Sequence, residues 1–163
     1  MTKLKDIVKF LDNYLKIKDI EDTSWNGLQV EGEPNVNKIV FTENAGLDTF
    51  KKAIKEGIDM IVVHHGHFWK TGNPSFVGPN KERVALLYKN GISLYGVHLP
   101  LDRHREVGNN AQLLKLLGAR IKKGSCNLSL NPTARQGPDS DLYINDFTGS
   151  LLQPYATSIG YYN

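Results

Sequence analysis

An α/β fold, with a mainly parallel sheet flanked by helices, is predicted by three features of the chain. Apolar positions alternate between helical and strand spacing, and each candidate strand is short and bounded by turn formers. The 163 residues, 40% hydrophobic and 23% charged, suffice for one core of this kind. The order strand, helix, strand, helix, strand, helix implies crossover connections and strands running the same way. The carboxyl edge of such a sheet gathers the loops that follow each strand, and ligands bind there.

Leu4, Ile7, Val8, Leu11 and Leu15 recur at helical spacing, so the first element is an amphipathic helix lying on the sheet. Residues 17–37 carry turn formers around Ser24-Trp25-Asn26-Gly27-Leu28-Gln29-Val30, and Lys38-Ile39-Val40-Phe41 then reads as a short strand. A helix from about Leu47 has Phe50, Ala53 and Ile54 on one face and Gly57 where a left-handed cap belongs. The apolar strand from Ile58 to Val63 runs straight into His64-His65-Gly66-His67. The unit repeats with a helix from Lys81 to Asn90, capped by Gly91, and a strand from Ile92 to Val97 that ends at His98-Leu99-Pro100-Leu101-Asp102. Asn109 and Asn110 can cap a last helix through Leu117, stopped by Gly118. These elements make residues 1–123 an α/β metal-binding domain. From Gly124 the texture changes, with Arg135 the only basic residue and no sustained periodicity, so 124–163 is read as a divergent tail.

Several classes are disfavoured. No run approaches 18 apolar residues, and the first segment is an amphipathic helix, not a cleavable leader, so the cytoplasm is the expected compartment and no membrane partner is expected. The lone Cys126 cannot form an intramolecular disulfide and lies outside the histidine cluster. A formal charge of +3, with lysines alternating with acids, does not promise the continuous basic surface a metal nuclease would need, so nucleic acid is not the expected partner.

The chemistry concentrates in one place. All five histidines, His64, His65, His67, His98 and His104, fall within a quarter of the chain, with an aspartate beside them. Imidazole and carboxylate together suit borderline divalent ions such as zinc, iron, manganese or nickel. Adjacent residues on a strand point to opposite sides, so His64 and His65 serve two ions more naturally than one, and Asp102 can bridge them. A bridged pair roughly 3.5–4 Å apart activates water for hydrolysis. The expected ligands are His64, His65 and Asp102. His98, at the sheet edge, is read as a residue that orients a ligand. His67 and His104 lie two residues beyond key positions and are left outside the ligand set. Lys70, Lys81 and Arg83 could meet a phosphate but read more simply as solvated, Trp25 and Trp69 as packing or interface aromatics, and Glu43 as a salt-bridge or solvent-facing acid that could also serve as base or ligand.

Three segments carry a family resemblance: Ser24 to Val30, Ile61-Val62-Val63-His64-His65-Gly66-His67-Phe68-Trp69-Lys70, and Gly91 to Asp102 followed by Val107-Gly108-Asn109-Asn110. Over about residues 1–123 the chain resembles the GTP cyclohydrolase 1 type 2 homologs, the NIF-three-like family of dinuclear-metal proteins. The resemblance implies that His64, His65 and Asp102 bind metal, that each subunit holds two divalent ions, and that the protein assembles as a toroidal homohexamer. Family members are usually longer, and a His-x-x-x-Glu motif in their second half completes the site; no histidine follows His104 here. Asn44 and Arg105 stand where an aspartate and a proline are common. Two functions follow as expectations: a metal-dependent hydrolase of a nucleotide or phosphorylated small molecule, or a truncated, non-catalytic relative acting as a binding or interaction protein.

Overall fold

The computed structural model describes residues 1–116. In chain order these form β1 (Thr2–Lys3), α1 (Leu4–Tyr14), a 3-10 turn (Ile17–Asp19), β2 (Gly27–Val30), β3 (Asn35–Val36), β4 (Ile39–Asn44) and α2 (Leu47–Lys55). There follow β5 (Met60–His65), α3 (Gly78–Lys89), β6 (Ser93–Gly96), α4 (Leu99–Asp102) and α5 (Asn109–Leu116). The chain divides into two compact units, Met1–Pro100 and a second beginning at Leu101. The expected tail, Cys126 and the end of the last helix beyond Leu116 lie outside the described residues.

The first unit is built on a four-stranded sheet of order β2-β6-β5-β4. β4, β5 and β6 are parallel, as the alternation of strands and helices requires, with Ile39 opposite Met60 and Met60 opposite Ser93. β2 runs antiparallel to β6, with an irregularity between Leu28 and Val30. That edge strand comes from the stretch read as turn formers: the alternation of Leu28 and Val30 lies in a strand only four residues long, set among Asn26, Gly27 and Gly32, too short to announce itself. β5 extends through His65, two residues past the apolar run, because pairing with β4 continues to Asn44 opposite His65. α3 begins at Gly78, three residues before Lys81, with Pro79 in its first turn, where a missing N–H costs nothing.

The two faces of the sheet follow the strand period of two. Ile61, Val63 and Leu94 pack with Phe50 and Ala53 of α2 and Leu87 of α3 in one core. Met60, Val62 and Tyr95, on the alternate positions, are also buried. The Tyr95 hydroxyl donates to Asp12 Oδ1 on α1 at 2.8 Å, which ties the first helix to this second face. Burial, then the bond to Asp12 and its charge, push the Tyr95 hydroxyl far above the usual tyrosine range. Gly57 and Gly91 both adopt φ 63° just after α2 and α3, the left-handed conformation that only glycine takes without strain and that lets each helix turn into the next strand. Among the described residues no helix is long and apolar enough to cross a membrane.

Candidate metal centre

His64 and His65 close β5, and His98 follows β6, its parallel neighbour. The backbone N–H of Val97 still donates to the Val63 carbonyl at 2.9 Å, so the two strands stay in register up to the histidines. His64, His65 and His98 each offer a ligand-capable nitrogen, and these atoms lie within 4.8 Å of one another. Ring centres are 4.5 Å apart for His64 and His65, 5.0 Å for His64 and His98, and 5.6 Å for His65 and His98. The doublet was expected to splay toward opposite sides of the sheet. At the last two positions of a strand, however, no further residue covers the edge, and two long imidazoles can converge over it.

An acid sits beside the doublet. Glu43 Oε1 lies 3.3 Å from His64 Nδ1 and 3.6 Å from His65 Nδ1, while Asn44 Oδ1 is 2.8 Å from His65 Nδ1. Position 44, where an aspartate is common in the resembling family, thus faces His65 with a neutral amide oxygen. The Glu43 side chain is largely exposed, so its attraction to the imidazoles is screened by solvent.

Asp22 is the residue that sequence reasoning missed. Its side chain is 2% exposed, yet it accepts from the backbone N–H groups of Ser24 (3.0 Å) and Leu99 (2.9 Å) and from Asn26 Nδ2 (2.9 Å). His98 Nδ1 lies 3.0 Å from Asp22 Oδ1. Burial works to raise the pKa of this carboxyl, but the bonds from Asn26, Ser24, His98 and Leu99 together outweigh it and hold it below the ordinary carboxylate value. An ionised partner makes Nδ1 of His98 the protonated nitrogen and leaves Nε2 with the lone pair. Asn26 Oδ1 also accepts the His98 backbone N–H at 2.8 Å, so the Asp22-to-Asn26 segment clamps both the backbone, through Asn26, and the ring, through Asp22, of His98.

Gln29 joins this clamp to the loop after β5. Its Nε2 donates to the Trp25 carbonyl at 2.7 Å, and its Oε1 accepts from the backbone of His67 (2.7 Å) and Phe68 (3.3 Å). Gly66 and Gly96 make room for it, since a Cβ on either would stand 2.3 or 2.6 Å from Gln29 Nε2. Trp69 packs on the cluster, 5.0 Å from His98 and 6.3 Å from His65 between ring centres, with its indole N–H donating to the Gly66 carbonyl at 3.0 Å. A larger cavity of about 640 Å³ lies along α1, lined by Leu4, Val8, Asp12 and Lys16 among others, and none of the histidines lines it.

In the second unit, Asp102 closes α4 and is buried. Asn109 Nδ2 donates to its Oδ1 at 2.9 Å and Asn110 Nδ2 to its carbonyl at 3.0 Å. These asparagines, expected as caps, lie inside the first turn of α5 and reach back to fix the aspartate. His104 Nδ1 accepts from the backbone of Glu106 (3.3 Å) and Val107 (3.2 Å), a local turn. His67 stands outside the three-imidazole group; burial, and then the nearby charge of Arg83, lower its pKa.

Parallel strands ending in three convergent imidazoles, one of them backed by a buried carboxylate, mark an α/β protein with a group able to hold a metal ion. The chain belongs to the Duf34/NIF3 (NGG1p interacting factor 3) family, whose model matches residues 2–140 and so continues past residue 123, the limit that the motifs alone set. It is 52% identical over 119 residues to a Pyrococcus horikoshii protein named GTP cyclohydrolase 1 type 2 homolog, covering 72% of this chain and 47% of that one. A protein of the same name from Escherichia coli is 43% identical over 119 residues, covering 73% and 48%. A crystal structure of a Thermus thermophilus protein matches with TM-score 0.70 at 46% identity, covering 73% of this chain and 49% of that one. Reduced HcgD from Methanocaldococcus jannaschii matches with TM-score 0.67 at 28% identity, covering 80% and 51%. The chain therefore spans about half the length of the curated relatives it matches.

Proposed function

We propose that the protein binds divalent metal at the carboxyl ends of β5 and β6 and uses it to hydrolyse a nucleotide or other phosphorylated small molecule. The observation that carries this reading is the group of three nitrogens from His64, His65 and His98 within 4.8 Å. Nitrogens about 2.0–2.1 Å from a tetrahedral ion lie roughly 3.4 Å apart, so small ring rotations would bring this set into coordination. Imidazole donors suit zinc, iron, manganese or nickel. His64 and His65 remain the first two ligands, and His98, expected only to orient a ligand, is read here as a donor through Nε2. Asp102, whose carboxylate accepts from Asn109, is retained as the further ligand that the family resemblance implies.

When bound, the metal supplies Lewis-acid polarisation of a substrate oxygen. The chain's own residues prepare the site. Asp22 fixes the tautomer of His98, Trp69 covers one side of the cluster, and Glu43 sets a carboxylate beside Nδ1 of His64 and His65. Lys70 at the loop after β5 can meet a phosphate. The nucleotide class draws support from the name that the relatives carry, GTP cyclohydrolase 1 type 2 homolog. Cytoplasmic location and a homohexamer belong to the same proposal.

A panel of phosphoesters and nucleotides, assayed with the full chain stripped by chelator and reloaded with each ion, tests the hydrolase. Ion-dependent turnover that disappears in His65→Ala supports it. Stoichiometric metal without turnover anywhere in the panel would refute it and favour a non-catalytic interaction protein. One observation favours that second reading: Phe41 is 71% exposed on β4, an edge strand of the sheet. Light scattering of Phe41→Ser against the parent would reveal assembly through that edge.

A further inference from the structure

We infer that the small aromatic pocket next to the histidine cluster binds one planar nitrogen-heteroaromatic ring, of the nucleobase class, belonging to the small molecule on which the cluster acts. The inference rests on the proposed metal site and adds what that site would recognise. The pocket has a volume of about 200 Å³ and is lined by Trp25, His67, Phe68, Trp69, Phe76 and Asn80 among others. Pockets that enclose a drug-sized molecule run to about 300–1,000 Å³, so this one holds a single ring system with the remainder of the ligand outside.

The lining is a built surface. The Trp25 backbone N–H donates to the Phe68 carbonyl at 3.1 Å, and the Trp69 indole N–H is spent on the Gly66 carbonyl at 3.0 Å, so each tryptophan is anchored at its backbone or its nitrogen. Phe68 and Phe76 meet edge to face at 6.2 Å and 75°. Trp25 and Phe76 are nonetheless each 57% exposed, in a unit where Phe50 and Tyr95 are fully buried. Aromatic surface held open around a concavity is what a ring-shaped ligand covers.

Three features select the ring. His67 puts an imidazole on the lining and Asn80 an amide whose NH₂ is spent on the Asn73 and Ser75 carbonyls, leaving its oxygen to accept, so a heteroaromatic edge is matched where a hydrocarbon would leave polar groups desolvated. Lys70 Nζ stands 5.8 Å from the Trp25 ring centre, which repels a cationic ligand and attracts an anionic substituent such as phosphate. Trp69 lines the pocket and lies 5.0 Å from His98, so a ring seated here is one side chain away from the cluster, within reach of a substituent.

The chain's two tryptophans both line this pocket, which makes emission excited at the red edge of indole absorption a direct reporter. The experiment titrates the full chain with adenine and, as the non-aromatic control, ribose 5-phosphate, each with zinc present and after chelation. Saturable quenching by adenine alone is expected. Base stacking on an aromatic side chain predicts that Trp25→Ala, followed through Trp69, weakens adenine binding by about 5- to 150-fold. Phe76→Ala, on an exposed loop, is the second variant should Trp25→Ala fail to fold by circular dichroism. Absence of quenching in a chain that holds zinc overturns the inference and leaves the metal reading standing. Quenching in a chain that holds no zinc keeps the ring site and removes the metal chemistry. Emission that responds to protein concentration but not to adenine, and stops responding in Phe76→Ala, would assign the patch to a contact between copies and overturn the inference.

Discussion

Asp22→Asn is the substitution whose consequences follow most closely from the geometry. Oδ1 of Asp22 faces the Ser24 N–H and His98 Nδ1, while Oδ2 faces Asn26 Nδ2 and the Leu99 N–H. Whichever way the asparagine amide turns, its NH₂ replaces an oxygen that served two groups. With the NH₂ toward Ser24, one bond is lost and His98 must flip tautomer to accept, placing its proton on Nε2. With the NH₂ toward Leu99, that bond is lost, and Asn26 must turn its amide and release the His98 backbone. Hydrogen bonds to a charged group contribute about 1.5–3 kcal/mol each, so losing up to two, with relaxation, costs about 3 kcal/mol. For a chain of this size that is a fall in Tm of roughly 6–12 °C by circular dichroism. Loss of such a ligand-orienting partner lowers metal affinity about 10- to 100-fold, readable by competition with a chelating dye. A variant that melts within about 1 °C of the parent and binds zinc equally well would refute the hub.

Acid adds a signature to the same substitution. Because Asp22 has a folded pKa below its unfolded value, its contribution is full above about pH 4 and is lost as pH falls through the folded value. The stability gap between parent and Asp22→Asn, from urea titrations, should therefore narrow below about pH 4. Tyr95 works in the opposite direction: its pKa is raised on folding by burial and then by Asp12, so its contribution is full below about pH 10 and declines above. Tyr95→Phe should flatten the alkaline limb of the stability curve. Gly57→Ala meets no atom within 4 Å of the new Cβ, so its cost is that of φ 63° alone, about 1–2 kcal/mol by chemical denaturation. Phe50→Ala removes a fully buried ring from between α2 and the sheet and should cost about 3–5 kcal/mol in the same assay.

The parallel half of the fold was legible because its signals are local. Apolar runs of strand length, helical spacing at Phe50 and Ala53, and glycines at 57 and 91 mark β4 to β6 and the helices between them. The histidine doublet at a strand end and His98 at the next were legible for the same reason, since chain order and parallel pairing alone bring them to one edge. β2 was not, because its edge position is decided by pairing with β6, which no window around Gly27 contains. Asp22 was invisible for a related reason. Its meaning lies in His98, 76 residues away, and locally it reads as a turn-forming aspartate two positions before a serine. The expectation that His64 and His65 face apart applied the strand rule at the one place where the strand stops.

Metal content measured by plasma mass spectrometry, on the full chain purified without a histidine tag, is the decisive check on the three-imidazole site. The parent should carry at least one divalent ion per chain, His64→Ala and His65→Ala should carry essentially none, and His98→Ala should lose most of it while remaining folded. A parent without metal, or a His65→Ala or His98→Ala variant that retains the parent's full complement, would contradict that site.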